Sequence, residues 1–395
     1  MPNAAGPHRL DHVDAMRAIA VLLVMWTHYA ELYATIAGSQ FALDAVQRSI
    51  NFGRIGVVIF FGISGMLIPN SLRGSGVDGA RRFVIRRVFR LYPAFWLSLP
   101  IGYAVYWLLF GHRLSPAGLA ANLTMIPTAF GRDPVMSHYW TLETELYFYA
   151  LCLALHGLGA LHRMRALCLT CLGLCAAFVI VSALKLIPAD ALGQYKGMLY
   201  HLAIMFWGAC FRQACDAPRA AVGFRLFGRT ATLSHRAAFA VVTAAVAGIA
   251  ALMAGIDLLH RDLVHVSASI GYLAGIAAFL GFATVLRIRA RAFAWIGRVS
   301  YSLYLLHGIP LYLIYAYCKA SGLTGGPLGL YMALTVPLAL ALAWASYRLV
   351  ETAGIDAGYA LTPARRTPGG AAAGPGAHRH PLDTTRPAPA ARDEA

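Results

Sequence analysis

Along this chain the apolar residues gather in blocks too long for strands and too continuous for the one-sided helices of a soluble domain. A membrane span needs about 17 to 25 such residues. Ten blocks of that kind can be marked, at 15–37, 52–70, 93–110, 138–160, 166–187, 197–213, 236–256, 263–286, 299–319 and 328–350. The stretch 114–136 is apolar too, but Pro116 and Pro127 break it, so it reads as an interfacial or re-entrant loop and not as an eleventh span. Past residue 351 the periodicity stops. The segment 352–395 is rich in Pro, Gly and Ala and predicts a disordered cytoplasmic tail behind one transmembrane domain at 1–351. The pattern therefore predicts an all-α fold, a polytopic bundle of about ten transmembrane helices.

Composition agrees with the pattern. Hydrophobic residues make up 59% of the chain and charged residues 13%, which excludes an ordinary soluble protein. A net charge of +16 would suggest nucleic acid as a partner, but the basic residues sit in short patches between apolar blocks, where they orient membrane helices instead. One set of loops holds Arg73, Arg81, Arg82, Arg86, Arg87 and Arg90, and later Arg212, Arg219, Arg225 and Arg229. The alternate loops are much poorer in Lys and Arg. This bias predicts cytoplasmic N- and C-termini and a multi-pass protein of the inner or plasma membrane. The first block is read as an uncleaved span and not as a signal peptide.

The seven cysteines lie mostly inside apolar blocks and read as packing thiols. Cys168, Cys171 and Cys175 have a metal-like spacing, yet no second pair of ligands follows in a soluble loop, so no metal site is expected.

Ionisable residues inside spans are costly and mark cavities or pathways. In the first span, Asp14, Arg17 and His28 share one face: eleven residues bring Arg17 and His28 to within about 20° of each other, roughly 16 Å apart along the axis. The stretch 79–93, GARRFVIRRVFRLYP, interleaves arginines with Phe83, Val84, Val88 and Leu91 and predicts an amphipathic helix on the cytoplasmic surface. Its Arg87 and Arg90 are neighbours at i,i+3, able to converge on one oxyanion, with Arg86 beside them; a cluster that binds only lipid head groups has the same appearance. The fourth span opens HYWTLETELYFY. It places Trp140 in an aromatic belt and Glu145 about 10 Å deep, at a depth where it can meet His28 or an arginine. The ninth carries Ser300 and Tyr301 at its start and His307 near its centre, close to Pro310. At the end of the tenth, Arg348 and Glu351 stand at i,i+3 as a local ion pair.

Four of these blocks, LDHVDAMRAIAVLLVMWTHY, RRVFRLYP, HYWTLETELYFY, and RVSYSLYLLH followed by SYRLVE, occur in an order that resembles acyltransferase family 3, the integral-membrane acyl-CoA-dependent O-acyltransferases. Thr141 stands where that family usually has Ser, and Glu351 is followed by Thr352, Ala353 and Gly354 without the usual Pro. The resemblance implies that Arg17 and His28 are the functional pair and that Arg87 and Arg90 handle acyl-CoA. Combined with the residue reading, it implies that His28, oriented by Glu145 or Asp14, acts as general base while acyl-CoA, acetyl-CoA by analogy, donates to a hydroxyl of an envelope or exported glycan or glycoside. A transient acyl-histidine is the variant of that mechanism. The competing class is a transporter or lipid-binding membrane protein whose ionisable residues line a path without covalent chemistry.

Overall fold

The computed structural model describes residues 11–36, 50–74, 76–186, 193–226 and 229–363. Its first elements are α1 (Asp11–Ile36), α2 (Phe52–Ser71), α3 (Gly76–Tyr106), the short α4 (Pro116–Asn122), α5 (Trp140–Gly157), α6 (Met164–Ala183) and α7 (Gly193–Asp216). An antiparallel hairpin of β1 (Ala221–Leu226) and β2 (Arg229–Ser234) follows. The chain then continues through α8 (His235–Leu259), α9 (Leu263–Thr284), α10 (Arg291–Arg298), α11 (Ser300–Leu306), α12 (Gly308–Ser321), α13 (Gly326–Ser346) and α14 (Thr352–Ala360).

The expected all-α bundle is what the chain forms. Each of the ten apolar blocks falls on helix. Among the described residues, seven helices are long and apolar enough to cross a membrane, or eight if the pair Arg291–Arg298 and Ser300–Ser321, bent by 61°, counts as one span. The helices of blocks 138–160 and 197–213 do not meet that measure alone. The former carries Glu143 and Glu145 in its first two turns.

Helix α2 is central, packed against α1, α7 and α9. Glycines permit the close approach. A Cβ on Gly65 or on Gly208 would run into the facing backbone of α7 or α2, and one on Gly62 into the Phe279 ring of α9. Pro69 lies in the last turn of α2, where the broken hydrogen bond matters least.

Several expectations are corrected here. The basic stretch and the span after it are not a surface helix plus a separate transmembrane helix; both belong to the 31-residue α3, which runs through Pro93 and Pro100. Each proline removes one backbone donor from the helix. Gly354 of α14 lies against the Phe89 carbonyl, four residues before Pro93. The domain boundary expected at 351/352 falls inside helical structure, which continues to Ala360. Gly354 and Gly358 seat that helix on α3, and residues 364–395 of the expected tail lie outside the described residues. The expected Arg348–Glu351 pair does not form either. A π-turn over Tyr347–Glu351 rotates Glu351 inward, where it accepts from Ser302 Oγ at 2.8 Å, while Arg348 stays exposed.

The stretch 114–136 builds no helix of spanning length. After α4 it returns along α3, held by Tyr92 OH donating to the Thr124 carbonyl at 2.9 Å and Trp107 Nε1 to the Val135 carbonyl at 2.8 Å.

Candidate functional site

One end of the bundle holds a cavity of about 470 Å³ built between α1, α2, α3, α5, α11 and the π-turn. Among the described residues, eight arginines line it against three carboxylates, so the space favours a multiply charged anion. The arginines come from α3 and the loop before it, from α1, and from the ends of α7 and α10. The exposed Arg73 places the mouth at the arginine-rich end.

The three arginines expected to bind an oxyanion divide their work. Arg86 is committed to the end of the chain: Nε and Nη2 each donate at 2.8 Å to Thr362, and the guanidinium lies 4.3 Å from the Tyr359 ring centroid. Arg87 lies over the Phe83 and Tyr149 rings and donates to Ser71 Oγ at 2.8 Å. Arg90 lines the cavity in electrostatic range of Arg17 and Glu351, and makes no hydrogen bond or ion pair among the described residues. The i,i+3 spacing on one helix thus presents Arg87 and Arg90 to the same space.

Deeper in, Arg17 faces Asp14 at 3.9 Å, and both line the cavity. Asp14 is fixed through its backbone, because α10 meets α1 at Gly297, where any side chain would strike the Asp14 carbonyl. Glu145 accepts from Tyr149 OH at 2.7 Å and Ser64 Oγ at 3.2 Å, and interacts electrostatically with Arg17. Ser300 and Tyr301 also line the cavity, and Tyr301 OH donates to the Leu91 carbonyl at 2.8 Å.

His28 stands apart from this group. Along α1 it is about 21 Å from Asp14, and it does not line the cavity. Glu145 belongs to the cavity. The orientation of His28 by Glu145 or Asp14 is therefore not the arrangement formed; of the two contacts expected for Glu145, it is the arginine that is near. His28 instead joins two further imidazoles, with ring centroids 5.4 Å from His307 and 6.1 Å from His138. Those two are 4.8 Å from each other. The His28 side chain is 35% exposed, with Nδ1 3.9 Å from Glu31 Oε2.

Tyr304 joins the two regions. Its side chain lines the cavity, while its ring lies 5.2 Å from His138 and 6.0 Å from His307. Its hydroxyl is 2.6 Å from Thr141 Oγ1 and donates to the His138 carbonyl, and its own carbonyl accepts from His307 Nδ1 at 2.8 Å. The inner end of the arginine cavity and the histidine cluster are thus two sides of one residue.

Trp140 does not line the cavity but packs against His201 and Phe61, near Arg54. His138 and Tyr304 were not singled out in the sequence. The available signal was His138 two residues before Trp140 and Tyr304 three before His307, each one helical turn or less from a residue already marked. Among the described residues, no group of three His, Cys, Asp or Glu side chains is arranged to hold a metal.

No curated protein and no solved structure matches the chain. A family model described as an acyltransferase domain does, over residues 10–348, which takes in α1, the histidine cluster and all of the arginine cavity's lining except Glu351, Ile355 and Tyr359. Spanning apolar helices and this nearly complete match lead to one assignment: the chain is a membrane protein belonging to acyltransferase family 3.

Proposed function

We propose that this protein transfers an acyl group, acetyl by analogy, from cytoplasmic acyl-CoA to a hydroxyl of an envelope or exported glycan or glycoside. The observation that carries the reading is the cavity with its excess of arginines, ending at the residue that also touches the histidine cluster. Arg87 and Arg90 bind the donor's phosphates at the mouth. Arg17, with Asp14 and Glu145 around it, lines the deeper part, through which the pantetheine arm reaches Tyr304 and Thr141. The arginine-rich loops support a mouth on the cytoplasmic side of an inner or plasma membrane.

At the inner end, His28 takes the proton of the acceptor hydroxyl as its oxygen bonds to the thioester carbonyl carbon. The carbon–sulfur bond breaks, and His28 returns the proton to the departing thiolate, so the imidazole ends neutral. The half-exposed His28 leaves a face for an acceptor arriving from the end of the bundle opposite the arginines.

The test uses the purified full chain with labelled acetyl-CoA and envelope glycans from cells lacking it. Label should pass to the glycan with the wild type and fail to pass with His28→Ala at normal expression and donor binding. Label that stays on coenzyme A while a solute crosses the membrane would establish the transporter class instead.

A further inference from the structure

The mechanism above uses one imidazole of three, and the carboxylate beside His28, Glu31 Oε2 at 3.9 Å from Nδ1, is beyond the hydrogen-bond distance at which a general base is oriented. His307 has the geometry of such a partner. It occupies the break between α11 and α12 and is buried. Its Nδ1 is spent on the Tyr304 carbonyl, and its backbone carbonyl accepts from Tyr29 OH of α1 at 3.3 Å. That Nδ1 bond assigns the neutral tautomer with its lone pair on Nε2. Two imidazoles joined by an N–H···N bond of ordinary length have ring centroids about 5 Å apart; His28 and His307 stand at 5.4 Å without that bond formed among the described residues, within a small ring rotation of it.

A second observation marks the same place. His138 Nε2 is buried without a hydrogen-bond partner among the described residues, on a ring that neighbours both His28 and His307. Buried ring nitrogens are nearly always paired, so this nitrogen is a polar contact point that a hydroxyl could use.

We propose that His307 is the positioning residue for His28: its Nε2 accepts from one His28 nitrogen and turns the other toward an acceptor hydroxyl held beside His138. The inference rests on His28 being the base. The proton balance is that of the mechanism above, with His307 neutral throughout, as the aspartate of a Ser-His-Asp triad stays ionised throughout.

The test compares His307→Ala, His307→Gln, His28→Ala and the double His28→Ala/His307→Ala variant in the full-length protein, with labelled acetyl-CoA and an envelope glycan fraction. The expected result is a fall in kcat of about 100-fold for His307→Ala, with KM for acetyl-CoA within about twofold. Glutamine, which can donate to the Tyr304 carbonyl and accept from His28, should recover about tenfold of that loss. The double variant should be no worse than His28→Ala alone. Full activity in both His307 variants overturns the pairing, as does equal loss in both alongside a fall in melting temperature, which is the signature of packing. His28→Ala keeping its activity would instead remove the base assignment itself, so the two failures are distinguishable.

Discussion

The hydroxyls of Tyr304 and Thr141 lie 2.6 Å apart at the point where the arginine-lined cavity stops and the histidine cluster starts. Removing the Tyr304 hydroxyl with Tyr304→Phe leaves the ring, so the cavity keeps its shape, but the His138 carbonyl loses one of its donors and Thr141 loses its hydroxyl partner. We expect a stability cost of about 1 kcal/mol, donor affinity within about twofold of wild type, and transfer lowered by about tenfold. Binding isotherms for acetyl-CoA measured beside initial rates check this, and a loss of binding without a change in kcat would place the hydroxyl on the wrong side of the chemistry.

Arg90 and Arg86 should separate cleanly. Arg90 has no competing partner among the described residues, so Arg90→Ala should raise KM for acyl-CoA by about 10- to 100-fold, the loss of one charge-assisted hydrogen bond of about 1.5–3 kcal/mol. Arg86 is bonded to Thr362, so Arg86→Ala should lower the melting temperature, at about 1 kcal/mol, and leave KM nearly unchanged. The reverse pattern would mean that Arg86 is the ligand.

Gly297→Ala tests how Asp14 and Arg17 are held. The added methyl would meet the backbone of α1, which cannot rotate out of the way as a side chain could. The expected outcome is a destabilisation of about 1–3 kcal/mol with disproportionate loss of activity. Gly255→Ala, where a methyl meets open space, serves as the control and should be stable.

A pH-dependent contribution to stability is expected between α8 and α9. Asp262 caps α9 by accepting from the His265 backbone N–H at 3.2 Å, and that bond, with the His265 side chain, holds its carboxyl below the usual range. Because the folded-state value is lowered, the contribution is present above the ordinary carboxylate pKa of about 3.9 and is lost as pH falls through the lowered value. Melting curves of wild type and Asp262→Ala should differ at neutral pH and converge in acid.

Much of the molecule was readable along the chain because one helix encodes its own faces. The apolar blocks placed the helices, and the eleven-residue step from Arg17 to His28 put both on one side of α1. Which neighbours meet those faces was not readable. Glu145 and His28 are of comparable depth by residue count, yet Glu145 lies level with Arg17, while His28 lies level with His138, seven residues earlier than Glu145, because counting does not fix where each helix enters the bundle. The π-turn was equally hidden: one extra residue in a turn turned Glu351 from a local partner of Arg348 into a wall of the cavity. The hairpin 221–234 went unnoticed inside an arginine-rich loop, although the alternating Val222, Phe224 and Leu226 are a strand pattern.

Tyr304 and Thr141 bear on more than acyl transfer. A polar cavity entering from one end and a half-exposed imidazole at the other would, if joined, make a hydrated thread through the bilayer along which protons could run down their gradient. This hydroxyl pair stands where the two meet, so any such thread would have to pass between Tyr304 and Thr141.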